Sequence, residues 1–530
     1  MNKYLIVFVF ISCQLYAQHS PQRWNSGGKL NPLQANMDIR HYTLSLNVNI
    51  PEQRIEGFVE TELILIQPAD TILFDLIDRY NVKKIWVDNR PAAFLRKNDH
   101  IFIIGRIQSG RHKTKIEYEG NPPVAVRPPW LGGFTWSHDK TGKPWVVINC
   151  QLDGAKIYFP CKDHPSDEPN EGVDLFITVP KGLTVAAPGL LQGTSSKGEK
   201  TTFHWKTNYT ISNYCVVFNI ADYQVVRQTY TTILNNHVPM EFYVLKQDVN
   251  QAQQVLNIRA RDTHILEKYF GEYPWAKEKI GIAQVPNPGM EHQTMITYGD
   301  PFTYQQFNGQ YYSANLFHEF THEWWANKVT NKDWAHMWIQ EGITTYAEAL
   351  CLRELTGEKG YDSMMLNFKN SIQNKKPLVQ GEEVNSQDTY TGDVYVKGAF
   401  LMHTLRYVLG DAVFFPALKK LAVDPNYTYD HFVTTNDVEQ LFSREAKTDL
   451  KPLFDFYTKT TDRLEIGVTQ TGVNTWKISP KNLPMKLPFE IRSDKGEIKT
   501  ELFNQSVKIE STTFPVIDPG NHYLTRIVVE

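Results

Sequence analysis

A His-Glu-Phe-Thr-His segment at residues 318–322, with Glu341 nineteen residues after the second histidine, constrains this chain more than any other feature. A helix turns by about 100° per residue, so side chains four residues apart share a face and both imidazoles can reach one ion. A catalytic zinc ion takes three protein ligands and leaves a fourth position to water. The spacing therefore predicts one Zn2+ per chain, held by His318, His322 and Glu341, with Glu319 as the catalytic general base for that water.

Length and composition indicate a globular protein of several domains. The chain has 530 residues, of which 41% are hydrophobic and 21% are charged, and it is too long for a single core. Its formal net charge of −3 gives no reason to expect a nucleic acid or an anionic membrane as a partner. We therefore expect two or three domains and no nucleic-acid binding.

The N-terminus has the pattern of a secretory signal peptide. Lys3 precedes the short apolar run at residues 4–11, and residues 12–17 lead to the small residue Ala17 at the likely cleavage site. We expect cleavage after Ala17 and export to the periplasm or the medium. The run is shorter than the roughly 20 apolar residues that span a bilayer, which makes an uncleaved anchor the weaker interpretation. Lipid modification of Cys13 is a further alternative, although Phe10 fits that motif poorly. We expect no stable membrane insertion.

Four cysteines remain after the predicted cleavage, namely Cys150, Cys161, Cys215 and Cys351. Their spacing matches neither a zinc finger nor a redox motif. A disulfide, with Cys150 and Cys161 as the pair nearest in sequence, and single buried thiols are both open.

Hydrophobic periodicity changes twice along the chain. Residues 42–50 alternate apolar and polar side chains up to Pro51, as in a half-buried strand, and further strand-like runs continue to about Asp222. Helical periodicity begins at Ala252 and is interrupted at Gly271. Further predicted features are a long helix that carries the histidines, with Ser313 as N-cap, a helix from near Glu341 to Gly357, and short strands from Leu464.

This pattern predicts a multidomain α+β protein. We expect a signal peptide at residues 1–17, an N-terminal β domain at 18–222, a zinc peptidase domain at 223–460 and a C-terminal β-sandwich domain at 461–530. Short strands separated by Gly, Pro and Asn favour the sandwich for the last of these.

Spacing alone does not settle the roles of Glu348 and Glu323 or the identity of the oxyanion donor. Glu348, two turns beyond Glu341, is a candidate to accept a hydrogen bond from a ligand histidine, and a solvent-facing glutamate is an equal alternative. Glu323 follows a ligand directly, and we expect its side chain to point away from the metal. The oxyanion formed during hydrolysis needs a donor, which the spacing does not select among 26 tyrosines.

Several motifs, in one order, carry a resemblance to a known family. The motifs are Phe-Gly-Glu-Tyr-Pro-Trp at 270–275, Gly-Met-Glu-His at 289–292, the histidine motif, and Tyr-Val-Lys-Gly-Ala at 395–399. Taken together, they resemble the aminopeptidase N family of zinc peptidases, the gluzincin aminopeptidases. The likeness is almost continuous from His318 to Glu348 and extends to residues 151–169 of the β-rich part.

The resemblance implies both a fold and an activity. It implies a saddle-like N-terminal β-sheet domain, a thermolysin-like, mainly helical catalytic domain and a small C-terminal β-sandwich. Many relatives have a large C-terminal helical domain, so this chain resembles a short form with a more open cleft. The implied function is an exported zinc metalloaminopeptidase that acts on peptide substrates with a free N-terminus. We expect a monomer.

The resemblance also assigns roles to individual residues. Tyr395 matches the tyrosine that stabilises the oxyanion, and Glu291 matches the glutamate that binds the substrate's free α-amino group. Gly289 and Met290 match an extended edge that pairs with the substrate backbone. Gln151 matches a residue that lines the first side-chain pocket, and Asp153 is a weaker candidate for the same pocket.

Three departures from the family pattern leave alternatives open. Pro288 stands where the family has glycine, so a backbone donor to the substrate is lost, and His292 replaces an asparagine. Ala326 replaces a common glycine, a change from which we expect little effect. The alternatives are an endopeptidase or an epoxide-hydrolase-like member of the family, and a non-catalytic peptide-binding homologue.

Overall fold

The computed structural model describes residues 24–299 and 302–530. The predicted signal peptide lies outside the described residues. Within them, strands dominate up to Leu245, helices dominate from Ala252 to Lys459, and strands return from Leu464. This order confirms the predicted fold class, and the exact domain boundaries stay predictions. No helix in the described ranges is long and apolar enough to cross a membrane.

An eight-stranded sheet forms the largest part of the N-terminal β region. Its strand Met37–Asn49 pairs antiparallel with Arg54–Leu65 and parallel with Val173–Pro180. Tyr42 and Leu44 are both fully buried, as the alternation of apolar residues predicts. The other strands of this region are Ala69–Asp75, Tyr80–Val87, Arg90–Pro91, Ala93–Lys97, His100–Ile107, Gly110–Gly120, Gly133–His138, Pro144–Asn149, Thr184–Ala186, Leu190–Lys197, Lys200–Thr207 and Asn219–Ala221.

A five-stranded sheet leads into the helical region. One of its two edge strands is the two-residue strand Gly289–Met290, which pairs only with Ile296–Tyr298 within this sheet. Gly289 has φ +131°, and a Cβ there would lie 2.6 Å from the carbonyl oxygen of Thr297, so only glycine fits. The remaining strands of the sheet are Tyr223–Thr231, His237–Leu245 and Ile280–Gln284, and a separate hairpin follows at Gln305–Phe307 and Gln310–Tyr312.

Two helices carry the predicted metal ligands. The first ligand helix, Ala314–Thr321, begins at Ser313, whose side chain accepts a hydrogen bond from the Leu316 N–H as an N-cap. The second ligand helix, Met337–Thr356, ends before Gly357 as predicted but begins four residues earlier than Glu341. The other helices are Pro32–Ala35, Ala252–Phe270, Glu358–Ser371, Ser386–Thr389, Gly392–Leu409, Asp411–Val423, Thr435–Ala446 and Lys451–Lys459.

The prediction of a long helix around the histidines is wrong. The first ligand helix has eight residues, and His322 is its C-terminal cap. The chain then turns, with Asn327 N–H bonded to the His322 carbonyl and Ala326 at φ +140°. A left-handed φ cannot continue a right-handed helix, so the helix must end before this residue.

A close crossing of two helices brings Tyr395 to the ligands. A Cβ on Gly342 of the second ligand helix would lie 2.7 Å from the Cα of Gly398, and a Cβ on Gly398 would lie 2.8 Å from the Cα of Gly342. The two backbones therefore touch at this point, which only glycine allows. The crossing sets the helix Gly392–Leu409, and with it Tyr395, directly against the helix of Glu341.

The left-handed φ of Ala326 corrects the expectation that this alanine is a minor change. A non-glycine residue in such a conformation stores about 1–3 kcal/mol of strain. We expect Ala326→Gly to raise the free energy of unfolding by about 1 kcal/mol, because relief of strain exceeds the roughly 0.5–1 kcal/mol of added freedom in the unfolded chain. Urea unfolding measures this change. Ala417→Gly, inside the helix Asp411–Val423, is the control and should lose about 1 kcal/mol or more. A less stable Ala326→Gly protein would contradict the prediction.

The C-terminal region has a four-stranded and a three-stranded sheet. Its strands are Leu464–Gly472, Thr475–Pro480, Leu487–Ser493, Gly496–Leu502, Val507–Glu510, Val516–Ile517 and Thr525–Val529. The side chains of Ile466, Phe489 and Leu524 are buried there.

The four cysteines of the described residues, Cys150, Cys161, Cys215 and Cys351, are buried and free. Of the two alternatives left open by the sequence, the structure has the single buried thiols. Desolvation raises the pKa of each thiol well above its usual value, so these groups are neutral and unreactive.

Candidate active site

The two ligand helices bring His318, His322 and Glu341 together. Glu341 Oε2 lies 3.6 Å from His318 Nε2 and 3.4 Å from His322 Nε2. One ligand atom from each residue lies within 4.8 Å of the others. These three atoms face a common point from two helices, as the spacing predicts for a metal site.

The other ring nitrogen of each histidine is held by a hydrogen-bond acceptor. His318 Nδ1 lies 2.7 Å from Glu348 Oε1, and His322 Nδ1 lies 2.8 Å from the carbonyl oxygen of Trp325. An acceptor at Nδ1 keeps the proton on that nitrogen. The lone pair of Nε2 is then free to face the point shared by the three ligand atoms, here called the ligand point. Glu348 therefore contacts a predicted ligand and is not a solvent-facing glutamate.

The donor set fits a divalent cation. Glu341 Oε2 is buried and accepts no hydrogen bond from the described residues. Burial alone would raise the pKa of Glu341, but His322 and His318 outweigh that effect and hold the pKa at about 2. An ionised, buried oxygen that faces two imidazole nitrogens is a costly arrangement without a cation between them. Two nitrogens and one carboxylate oxygen are ligands typical of a catalytic zinc site.

Glu319 borders the same space from the first ligand helix. Its side chain is partly exposed, and Asn315 Nδ2 donates a 3.2 Å hydrogen bond to Oε1 from one turn earlier. Desolvation raises the pKa of Glu319 to about 8, against an opposing effect of His318 and with a further contribution from Glu291. A divalent cation in the site would lower this pKa.

Glu291 lies next to the ligands although it follows a different segment, the edge strand Gly289–Met290. Its carboxylate, that of Glu319 and a nitrogen of His322 lie within 4.8 Å of one another. Glu291 is buried, with 2% of its surface exposed. Burial raises the pKa of its carboxyl, His322 opposes the shift, and Glu341 adds to it.

The two remaining predicted residues also reach this cluster. Gln151 Nε2 donates a 2.5 Å hydrogen bond to Glu291 Oε1 from the turn after the strand Pro144–Asn149. The Tyr395 ring lies 5.9 Å from the His318 ring, and its hydroxyl is hydrogen-bonded to that of Tyr390. Desolvation and the charge of Glu341 raise the pKa of Tyr395 well above its usual value, so the hydroxyl keeps its proton.

The two departures beside Glu291 have different structural consequences. His292 is fully buried, and neither ring nitrogen has a hydrogen-bond partner in the described part of the chain. Burial lowers the pKa of His292 to about 3, so the ring is neutral and adds no charge to the site. Pro288 is partly exposed just before the edge strand, where it supplies no N–H.

Glu323 points away from the ligands, as predicted, into a buried network. It accepts hydrogen bonds from Trp275 Nε1 at 2.6 Å and from the Thr294 N–H at 2.8 Å. Asn327 Nδ2 donates to Glu323 at 3.2 Å and also to the Glu291 carbonyl oxygen at 2.9 Å. The network ties the turn after the first ligand helix to the loop after Glu291. Burial raises the pKa of Glu323 to about 7.

Sequence reasoning missed Tyr214, Gln340 and Tyr390. Tyr214 Oη and Gln340 Nε2 donate to Glu291 Oε1 at 3.0 and 3.1 Å, and Tyr390 meets Tyr395. Gln340 and Tyr390 had a local signal, because Gln340 directly precedes the predicted ligand Glu341 and Tyr390 lies five residues before Tyr395. Tyr214 is distant in sequence, and only the folded chain brings it to the site.

A family profile matches the helical part of the chain. Residues 254–457 match the description "Peptidase family M1 domain". This part of the chain is therefore similar to peptidase family M1. The resemblance inferred from the motifs is thereby confirmed, and the M1 domain spans all three predicted metal ligands, Glu291 and Tyr395.

Curated proteins that are similar to this chain include aminopeptidases. The chain is 26% identical over 397 residues to leucine aminopeptidase 2 of Candida glabrata, covering 70% of this chain and 58% of the relative. It is 25% identical over 295 residues to human endoplasmic reticulum aminopeptidase 2, covering 51% and 29%. The chain thus spans from under a third to somewhat over half of the length of these relatives.

Solved M1 structures share the fold. An M1 zinc metallopeptidase from Deinococcus radiodurans superposes with a TM-score of 0.66 at 21% identity, covering 82% of this chain and 96% of that chain. A mutant M1 zinc metallopeptidase from the same organism, bound to a Tyr-Ser-Ala substrate, gives 0.66 and 21%, with 80% and 94% covered. At this identity the likeness concerns the fold.

Proposed function

We propose that this M1 chain is an exported zinc metalloaminopeptidase that hydrolyses the N-terminal peptide bond of peptides. One observation carries the proposal: the carboxylates of Glu291 and Glu319 and a nitrogen of His322 lie within 4.8 Å of one another. An anchor for an ammonium group then lies about one residue from the predicted base and metal ligands, since one residue spans roughly 3.3–3.6 Å. The aminopeptidase names of the relatives support the same reaction, and the N-terminal 17 residues carry the export part of the proposal.

His318, His322 and Glu341 would hold the metal. Glu348 and the Trp325 carbonyl fix the orientation of the two imidazoles through Nδ1. When bound, zinc supplies Lewis acidity, which polarises the scissile carbonyl and lowers the pKa of water to about 7. The ionised state of Glu341 suits this role.

Glu319 would move the protons of the reaction. Its carboxylate borders the ligand point and takes a proton from the attacking water. It then delivers that proton to the amine that leaves. A cation beside Glu319 lowers its pKa from the raised value toward neutrality, which is the range that suits a general base at neutral pH.

Glu291 and the edge strand would place the substrate. The raised pKa of the buried Glu291 carboxyl means that the ionised form needs a cation, and a peptide's α-ammonium supplies one. The edge of Gly289–Met290 that faces away from Ile296–Tyr298 can pair with an extended peptide, with one backbone donor fewer because of Pro288. Gln151 would hold Glu291 at the entrance to the first side-chain pocket.

Tyr395 would donate a hydrogen bond to the oxyanion. We expect Tyr395→Phe to lower kcat by about 10²–10³-fold with little change in bound zinc, because loss of one oxyanion donor typically costs that much. Steady-state kinetics on a free-N-terminal peptide, with metal analysis, measures this. Tyr407→Phe, on the same helix but stacked on His522, is the matched control and should behave like the native protein. A Tyr395→Phe enzyme within threefold of the native kcat would contradict this role.

The proposed function is tested with a mixed peptide pool of which half is N-acetylated. The products of the purified, zinc-loaded protein are read by mass spectrometry. We expect stepwise loss of single residues from free N-termini only. Internal cuts in both halves of the pool would instead indicate an endopeptidase. An absence of cleavage with zinc bound would favour an altered substrate, such as an epoxide, or a binding role.

A further inference from the structure

Three neutral donors converge on one oxygen of Glu291. Gln151 Nε2, Tyr214 Oη and Gln340 Nε2 donate to Oε1 at 2.5, 3.0 and 3.1 Å. All three donors are buried, with 7%, 7% and 2% of their surface exposed. None of the side-chain hydrogen bonds found within residues 24–299 and 302–530 reaches Oε2 of Glu291. The three side-chain donors therefore hold the carboxylate through Oε1.

The three donors come from separate parts of the fold. Gln151 lies in the turn after the strand Pro144–Asn149, and Tyr214 lies in the short helical turn Asn213–Cys215. Gln340 lies on the second ligand helix, where its Nε2 is also 3.5 Å from Oε1 of the neighbouring ligand Glu341. Gln340 thus stands between the predicted amine anchor and the predicted metal carboxylate.

The chemistry of the donors bears on what Glu291 can bind. A hydroxyl and two amides satisfy an oxygen without neutralising its charge. No lysine or arginine forms an ion pair with Glu291 in the described part of the chain, and the charged groups that face it are His322, Glu341 and Glu319. The negative charge is therefore left for a cation that arrives at the second oxygen.

We propose that Tyr214 and Gln340 are positioning residues that lock Oε1 of Glu291 and leave Oε2 to receive the substrate's α-ammonium. The terminal torsion of a free glutamate is broad, so an unheld carboxylate samples orientations that do not face the amine. Hydrogen bonds to a charged oxygen are strong enough to remove that freedom before the substrate binds. The proposal rests on the proposed aminopeptidase function.

Two variants separate positioning from mere stabilisation of the fold. Tyr214→Phe removes one hydroxyl, and Gln340→Met removes the amide at similar volume. Tyr361→Phe is the matched control, because Tyr361 is a buried tyrosine that bonds His403 Nδ1 at 2.8 Å, away from Glu291. Each protein is assayed with one peptide and with its des-amino analogue, which lacks the α-amino group, and its thermal midpoint is recorded.

We expect each variant to raise KM for the free-amine peptide about tenfold, with kcat within threefold of native and des-amino kinetics unchanged. The control should match the native enzyme with both substrates. Unchanged KM, or equal losses with both substrates, would overturn the positioning role. If Gln340→Met fails to fold, Tyr214→Phe alone decides, since it removes a single oxygen. Failure of the proposed function has a different signature: the native enzyme itself would show no preference for the free amine.

Discussion

Glu319→Gln is expected to lower kcat by about 10²–10⁴-fold on free-N-terminal peptides while zinc content and thermal midpoint stay near native values. The amide has nearly the same shape as the carboxylate but cannot accept a proton from water. Asn315 and the other neighbours of Glu319 keep their positions, because glutamine can still accept the hydrogen bond from Asn315 Nδ2. The loss therefore falls on the chemical step.

The measurement is kcat and KM for one peptide, with zinc determined on the same sample. Glu354→Gln, on the second ligand helix but bonded to Lys268 and Tyr269, is the matched control and should keep native kcat. A Glu319→Gln enzyme with more than a tenth of native kcat would show that another group takes the proton.

Glu341→Ala is expected to abolish stable zinc binding and, with it, activity at limiting zinc. The substitution removes the one charged ligand and leaves two imidazoles, so the affinity should fall by more than the roughly 10–100-fold typical of losing an outer hydrogen-bond partner of a ligand. Metal analysis after dialysis should fall from about one zinc per chain to a small fraction.

Glu348→Gln is the graded comparison for the loss of Glu341. It keeps all three ligands and changes only the acceptor at His318 Nδ1, so zinc should remain bound with an affinity lower by about 10–100-fold. We expect a chelator titration to show that zinc affinity decreases from the native protein to Glu348→Gln and then to Glu341→Ala. A Glu341→Ala protein that retains one zinc per chain would contradict the prediction that Glu341 is a zinc ligand.

The sequence predicted the site best where the chemistry is local. The four-residue spacing of His318 and His322 and the N-cap at Ser313 both follow from helix geometry within one turn. Alternation in the strand Met37–Asn49 likewise follows from the two-residue period of a strand. The length of the first ligand helix was mispredicted, because the chain turns after His322 and reaches a left-handed φ at Ala326, where a right-handed helix cannot continue.

The surroundings of Glu291 lay beyond prediction from the residues. Its three donors are 140, 77 and 49 residues away in sequence, and no periodicity relates such positions. Resemblance to a family suggested Gln151 but gave no contact for it. The hydrogen bonds exist only because the turn after the strand Pro144–Asn149, a short helical turn and the second ligand helix pack around one buried carboxylate.

The sequence by itself determined which helix faces and strand faces are apolar, and which residues stand one turn apart to bind a metal. Those properties depend on backbone geometry over a few residues. The tertiary structure decided which oxygen of Glu291 is held and, through the contact of Gly342 with Gly398, how Tyr395 meets the ligands. Those arrangements arise from packing between distant segments, where a buried polar group must find partners wherever the fold supplies them.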